Sequence, residues 1–140
     1  MVSGKGLQLG GADGRLRGLA IELPSAPAPF GTYVEAVRTG NLLFLSGMLP
    51  AVDRKPKYLG RLGKELDTEA GRDAAYPAAL SGLAAAKQYL GSLDRVTRVV
   101  RLGVFIATCD DFFDQPTVAD ARSQTCSETS LAATGWRFDL

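Results

Sequence analysis

Residues 31–50, with the sequence G-T-Y-V-E-A-V-R-T-G-N-L-L-F-L-S-G-M-L-P, constrain the fold more than any other stretch of the chain. They predict two short strands, Tyr33–Arg38 and Leu42–Ser46, and the first strand alternates with the period of a half-buried strand. The Gly40-Asn41 pair supplies the positive φ angles of a tight hairpin. The second strand is apolar almost throughout, which predicts a central, covered position. It ends at Ser46-Gly47, where the glycine lets another group approach the backbone.

The composition excludes several classes of protein. A chain of 140 residues predicts one domain, and its net charge of +1 creates no overall field for nucleic acid or anionic membranes. The basic residues between Arg54 and Lys64 are interpreted as a solvated loop. Residues 1–30 contain no apolar core of a signal peptide, and no apolar run approaches the ~20 residues that span a bilayer. We therefore expect a cytoplasmic location, without a nucleic-acid or membrane partner.

Histidine is absent from the sequence, and this absence restricts the possible chemistry. It excludes Ser-His-Asp and Cys-His catalytic groups, a histidine general base and histidine-ligated metals. The two cysteines, Cys109 and Cys126, form neither a disulfide framework nor a CxxC metal site. Any catalysis must use backbone groups, hydroxyls, carboxylates, Lys, Arg or ordered water.

The N-terminal half predicts an arm, a short turn and one long helix. Met1–Gly14 is Gly-rich and is expected to be a mobile arm. Leu16–Leu23 predicts a short helical turn that ends before a proline-rich, extended lead-in. A helix capped by Asp67 or Thr68 should run to Leu90, with Gly91 as its C′ residue. Its apolar stripe (Tyr76, Leu80, Leu83, Ala84, Leu90) and many alanines predict close packing on a sheet, and Pro77 predicts a kink near Asp73.

The second half begins with a further strand and helix. Val96–Ala107 is the longest β-branched run and predicts the third strand. Asp110 or Asp111 can cap a second helix that begins near Phe112, with Pro116 tolerated in its first turn.

The hairpin follows the pattern G-x-Y-x-x-A-V-x-x-G-N-x-x-x-x-S-G-x-x-P, which resembles that of the RidA family, also called YjgF or L-PSP. The matching residues are Gly31, Tyr33, Ala36, Val37, Gly40, Asn41, Ser46, Gly47 and Pro50. A second match covers Val96–Asp120, and the resemblance as a whole runs from about Leu16 to Asp120. The sequence is most similar to a longer YjgF-like subgroup of these reactive-intermediate deaminases.

The resemblance implies an α+β, chorismate-mutase-like fold, in which a mixed sheet of order β-β-α-β-α-β-β is backed by two helices. It also implies a homotrimer with ligand clefts between subunits. Better-studied members hydrolyse enamines and imines such as 2-aminoacrylate to 2-oxo acids and ammonia without a metal or cofactor, and the resemblance implies the same reaction here. A non-catalytic small-molecule or protein binder is the alternative, and an endoribonuclease or translation inhibitor is the third class.

Two site residues are carried over from the resemblance. Tyr33 matches the tyrosine of the family's cleft, and Gly47 matches the glycine whose backbone lines it. Without the resemblance, Tyr33 would be interpreted as a half-buried strand aromatic and Gly47 as a bulge. Met48 replaces the glutamine found in many members, which removes an amide from the rim. No catalytic residue is assigned, because the family's carboxylate-binding Arg and water-orienting Glu lie in C-terminal strands that find no match here.

The sequence after Asp120 departs from the family pattern. Residues 15–120 are interpreted as the family domain and residues 121–140 as a non-family tail without helix or strand, so that the last two strands are missing or replaced. Inserting one base after the Asp120 codon allows the reading D-G-A-E-P-D-L-L-R-D-V-F-G-G-D-R-L-A-I-R-P, which resembles the family's helix and turn. We therefore interpret the tail as the product of a single-base deletion, and expect impaired activity in this form.

Overall fold

The computed structural model describes residues 10–120 and the backbone of residues 135–139. An N-terminal helix is followed by two hairpins, a long helix and a 3-10 turn at Leu93–Arg95. A strand, a helical segment at residues 115–120 and a final strand complete the described chain. The helices and strands are α1 (Gly11–Gly18), β1 (Ala36–Thr39), β2 (Leu42–Leu45), β3 (Ala51–Val52), β4 (Lys55–Pro56), α2 (Thr68–Leu90), β5 (Arg98–Arg101) and β6 (Gly135–Asp139).

The β1–β2 hairpin forms where the sequence predicts it, but its first strand is shorter. Pairing runs from Ala36 opposite Leu45 to Thr39 opposite Leu42, and Gly40 in the turn has φ +56°. Asn41 does not share the predicted positive φ. The predicted start at Tyr33 is wrong, because the chain bends through residues 30–33 before it enters the sheet.

The main sheet is antiparallel and has the strand order β1-β2-β6-β5. β6 lies between β2 and β5, so the prediction of no strand in residues 121–140 is wrong for Gly135–Asp139. The overlooked signal is a short alternation of apolar and polar residues in G-W-R-F-D. Residues 121–134 lie outside the described part of the chain.

The hydrophobic core lies between one face of this sheet and α2. Leu43 of β2, Leu83 of α2 and Val99 of β5 are almost fully buried there, and Leu93 after α2 joins them. β2 is central in the sheet, as predicted, but only one of its faces is covered. The side chain of Phe44, which points to the other face, is 42% exposed, because the described chain places no element over it.

Helix α2 has the predicted ends. The Asp67 side chain accepts a hydrogen bond of 2.8 Å from the Ala70 N–H, and Gly91 follows the helix with φ +83°. The helix continues through Pro77, and the kink near Asp73 stays a prediction. The stripe is confirmed for Leu83, Ala84 and Leu90 but not for Tyr76, which is 41% exposed. No helix in the described chain is long and apolar enough to cross a membrane.

The third predicted strand is also shorter in the structure. β5 ends at Arg101, opposite Gly135 at the start of β6, and beyond it the described residues show only an isolated bridge, in which the Ala107 carbonyl accepts the Leu62 N–H at 3.0 Å. Phe105, within that run, is almost fully exposed. The next helical segment begins at residue 115, and Asp114 rather than Asp110 or Asp111 stands before it. The Asp114 carboxylate accepts a hydrogen bond from the Thr117 hydroxyl.

Helix α1 begins at Gly11, so the expected mobile arm does not include residues 11–14, while residues 1–9 lie outside the described chain. Asp13 of α1 is 9% exposed. Its carboxylate accepts hydrogen bonds from the Ser92 hydroxyl and the Leu93 N–H and forms an ion pair with Lys87. In return, Asp94 accepts the Asp13 N–H at 2.9 Å. These contacts fix α1 to the end of α2.

Substitution of Gly63 is expected to destabilise the fold for two reasons, its backbone conformation and the lack of space for a side chain. Its φ is +85°, and an added Cβ would lie 2.5 Å from the Cys109 Sγ. Left-handed strain of ~1–2 kcal/mol and overpacking of ~1–3 kcal/mol should together make Gly63→Ala about 2–5 kcal/mol less stable in urea unfolding. Gly40→Ala is the control, since Gly40 has a positive φ but open space around it. Equal losses in both variants would contradict the predicted contact.

Candidate functional site

A cavity of about 680 Å³ opens where the main hairpin meets the proline-rich lead-in. One wall comes from residues 22–28 and Phe30, and another from residues just before β1 and just after β2. The β3–β4 turn and one face of α2, at Pro77, Leu80 and Ser81, complete the lining. Both site residues predicted from the sequence, Tyr33 and Gly47, line this one cavity.

Tyr33 lies in the bend that precedes β1 and is 45% exposed. Its hydroxyl oxygen accepts the N–H of Phe30 at 3.2 Å, which closes the bend. A phenolic hydroxyl that accepts one hydrogen bond keeps its own proton for a second partner. The tyrosine can therefore donate a hydrogen bond to a molecule in the cavity.

Gly47 follows β2 and forms part of the opposite side of the hairpin wall. An added Cβ would meet no atom within 4 Å, so the space beside this residue is open. Ser46 before it is held in place, because its N–H and hydroxyl both donate to the Glu35 carbonyl, at 2.9 and 3.3 Å. A fixed backbone beside open space is suited to close approach by a ligand.

Four charged residues line the cavity that the sequence did not assign to a site: Glu22, Glu35, Asp53 and Arg54. Asp53 and Arg54 form the turn between β3 and β4, with φ of +51° and +62°. The Arg54 guanidinium lies 5.5 Å from the centroid of the Phe30 ring, and its Nη2 is 3.5 Å from the Pro29 carbonyl oxygen. The Asp53-Arg54 pair was the sequence signal for this turn. The sequence alone, however, led to the interpretation of Arg54 as part of a solvated loop.

Glu35 is half-buried at the cavity wall, immediately before β1. Burial raises the pKa of its carboxyl above the ordinary value of 4.5. Its carboxylate makes no hydrogen bond or ion pair with any residue in the described part of the chain. The apolar residues Leu23, Met48 and Leu80 line the same cavity. Glu35 is thus an acidic group without a partner in a partly apolar site.

The sequence profile of one protein family matches most of the chain. The family is described as Endoribonuclease L-PSP, and the match covers residues 23–134. The chain belongs to the L-PSP family. The match begins after α1 and extends beyond Asp120, where the motifs quoted above end.

Individual relatives agree with this family assignment. Protein TCP17 of Trypanosoma cruzi is 41% identical over 108 residues, which are 77% of this chain and 68% of that protein. A crystallised protein of unknown function from Agrobacterium tumefaciens, Atu1372, is 32% identical with a TM-score of 0.74, over 89% of this chain and 77% of its own. A protein of Shewanella oneidensis MR-1, named for a proposed endoribonuclease activity, has a TM-score of 0.80 at 23% identity, over 93% and 99% of the two chains.

These similarities confirm the predicted fold class. The L-PSP chain is a small α+β protein with antiparallel strands and helices, consistent with the chorismate-mutase-like fold. The Shewanella protein supports the fold alone, because its sequence identity is low. The origin of the tail by a base deletion stays a proposal.

Gly47→Ala should separate a site defect from a folding defect. The residue lacks a positive φ and has open space around it, so the methyl group should leave stability unchanged or raise it by ~0.4–1 kcal/mol. Because Gly47 lines the cavity, we expect the methyl group to take up space that a bound molecule uses, and under the hydrolysis proposed below kcat/KM for ammonia release should fall about tenfold or more. Thermal melts and kinetics measure the two effects. Gly10→Ala, which adds a methyl group in open space at the start of α1, is the control, and equal kinetics for both variants would contradict the prediction.

Proposed function

We propose that this L-PSP chain hydrolyses reactive enamines and imines of the 2-aminoacrylate type to 2-oxo acids and ammonia. The observation that carries the proposal is the cavity in which Tyr33 and Gly47, the two residues matched to the family's cleft, come together. A cytoplasmic site of action is part of the proposal.

The cavity offers groups suited to this reaction. An enamine first takes up a proton at its terminal carbon and loses one from nitrogen to become the imine. Water then adds to the imine carbon, the nitrogen takes up a proton, and the resulting carbinolamine loses ammonia to leave the 2-oxo acid. Tyr33 has a hydroxyl proton to donate, and the backbone beside Ser46 and Gly47 is accessible for positioning the substrate or the water. The proposed reaction therefore needs only hydroxyl groups, backbone groups and water.

A homotrimer is the proposed assembly, with the exposed face of the sheet inside. Val37 and Phe44 are directly paired across β1 and β2, and both are more than 40% exposed on the face opposite the core. Exposed apolar side chains that lie together on a sheet are typical of a surface covered by another subunit.

Endoribonuclease activity is the second candidate, since the family description refers to it. In its favour, the Lys57 ammonium lies 5.5 Å from the centroid of the Tyr58 ring in an exposed basic loop. A non-catalytic binder on the same fold is the third. These functions differ in their products.

The deciding experiment measures ammonia released from freshly generated 2-aminoacrylate, in parallel with cleavage of single-stranded RNA by nuclease-free preparations. The proposed hydrolase releases ammonia above the buffer rate and leaves the RNA intact. RNA cleavage without ammonia release would favour the second candidate, and neither product would favour a binder.

A further inference from the structure

Glu35 lines the cavity, and its backbone and its side chain differ in how firmly the fold holds them. Its backbone is fixed, because its carbonyl oxygen accepts both hydrogen bonds from Ser46. Its side chain, in contrast, has no hydrogen-bond or ion-pair partner among the described residues, although it is half-buried. Burial of a carboxylate without a partner is unfavourable, and it raises the pKa of this group.

No basic residue of the described cavity lining forms an ion pair with Glu35. Arg54 is the basic residue of the lining, and its guanidinium lies over the Phe30 ring and near the Pro29 carbonyl. The remaining charged lining residues, Glu22 and Asp53, are acidic. The cavity therefore has more negative than positive charge, and its half-buried carboxylate is available to a bound molecule.

We propose that Glu35 is a specificity-determining residue, which binds the protonated amine or iminium nitrogen of the ligand through a charge-assisted hydrogen bond. A molecule with a positively charged nitrogen would give this carboxylate the partner that the chain does not supply. The assignment deepens the proposed function, on which it rests, since protonated imines are among the substrates proposed above.

Alanine and lactate test the proposal, because they share a carbon skeleton and a carboxylate but differ in an ammonium or hydroxyl group at the α carbon. Their affinities can be measured by NMR titration of the full chain, with the Ser46 and Gly47 amides as reporters. We expect alanine to bind at least about tenfold more tightly than lactate, which corresponds to ~1.4 kcal/mol. Glu35→Gln should bring this ratio close to one.

Two acidic residues of the same cavity provide matched controls. Glu22→Gln and Asp53→Asn remove the same charge from more exposed positions, and asparagine tolerates the left-handed backbone of residue 53. Both control variants should keep the wild-type preference for alanine. Glu35→Asp, which keeps the charge on a shorter side chain, should give an intermediate ratio.

Equal affinities for alanine and lactate, an unchanged ratio in Glu35→Gln, or no detectable alanine binding would overturn the proposal. Other outcomes decide between the proposed hydrolase activity and the role of Glu35. Ammonia release with an unaltered rate in Glu35→Gln would retain the hydrolase and remove this role of Glu35. A Glu35-dependent preference for alanine without ammonia release would retain the binding residue and remove the hydrolase.

Discussion

Replacing Asp13 by alanine is expected to lower the free energy of unfolding by about 2 kcal/mol, in the range for losing hydrogen bonds to a charged group. The carboxylate is nearly buried, and its three partners come from the end of α2 and the turn that follows it. Lys87 Nζ lies 2.9 Å from Oδ1, while the Ser92 hydroxyl and the Leu93 N–H lie 2.7 and 3.1 Å from Oδ2. The substitution would leave the buried Leu93 N–H without its acceptor, return the half-exposed Lys87 ammonium to solvent and release α1.

This contribution should depend on pH in a defined direction. Burial alone raises the pKa of Asp13, but the hydrogen bonds from Ser92, Lys87 and Leu93 and the charge of Lys87 outweigh it and lower the pKa below 3.8. A carboxyl with a lowered pKa in the folded state stabilises the fold above its unfolded pKa, and this stability is lost as pH falls through the folded value. The difference in the free energy of unfolding between wild type and Asp13→Ala should thus be largest at neutral pH and should decrease below about pH 4.

Urea unfolding at several pH values measures this difference. Glu69→Ala is the control, because Glu69 pairs with Arg72 at 3.9 Å on the exposed surface of α2. Such surface pairs contribute ~0–1 kcal/mol, so the control variant should be nearly as stable as wild type. A loss below 1 kcal/mol in Asp13→Ala, or one independent of pH, would contradict the anchoring of α1.

Restoring one base after the Asp120 codon is expected to raise ammonia release by at least about 100-fold. The restored frame resembles the family's C-terminal helix, and we expect the restored gene to continue into the strands that, by the resemblance, carry a carboxylate-binding Arg and a water-orienting Glu. A positioned proton-transfer group alone contributes typically 10²–10⁴-fold. The restored reading also places R-L-A-I-R over the positions of β6, with apolar residues where Trp136 and Phe138 stand.

Two measurements test this second prediction. Resequencing of the gene across codon 120 should show an additional base, and kinetics of the restored protein should show the gain. As a control, replacing residues 121–140 by an unrelated polar segment should not increase ammonia release. An intact frame in the gene, together with unchanged ammonia release in the restored protein, would contradict the deletion.

Local chemistry made much of the fold predictable. The ends of α2 follow from the Asp67 cap and Gly91, and the β1–β2 register follows from Gly40 in the turn. Both features depend on residues close together in the sequence. The exposed side of β2, with Phe44 uncovered, could not be predicted, because an apolar run does not say which of its faces another element covers.

The candidate site was predictable only in part. Tyr33 and Gly47 were found through a motif, and the structure places both in one cavity. Glu35 and Arg54 were missed because their importance depends on tertiary surroundings, namely an unpaired carboxylate and a turn that brings a guanidinium over Phe30. Asp13 was missed for the same reason, since its partners lie about 80 residues away.

Ammonia release from freshly generated 2-aminoacrylate tests the central claim most directly, namely that the cavity at Tyr33 and Gly47 is the site of a hydrolase. The measurement should compare the chain, its frame-restored form and the Gly47→Ala variant of each. We predict release above the buffer rate that increases in the restored form and falls in the Gly47→Ala variants, with unchanged melts. Release at the buffer rate in every form, or equal rates in each form and its Gly47→Ala variant, would contradict the account.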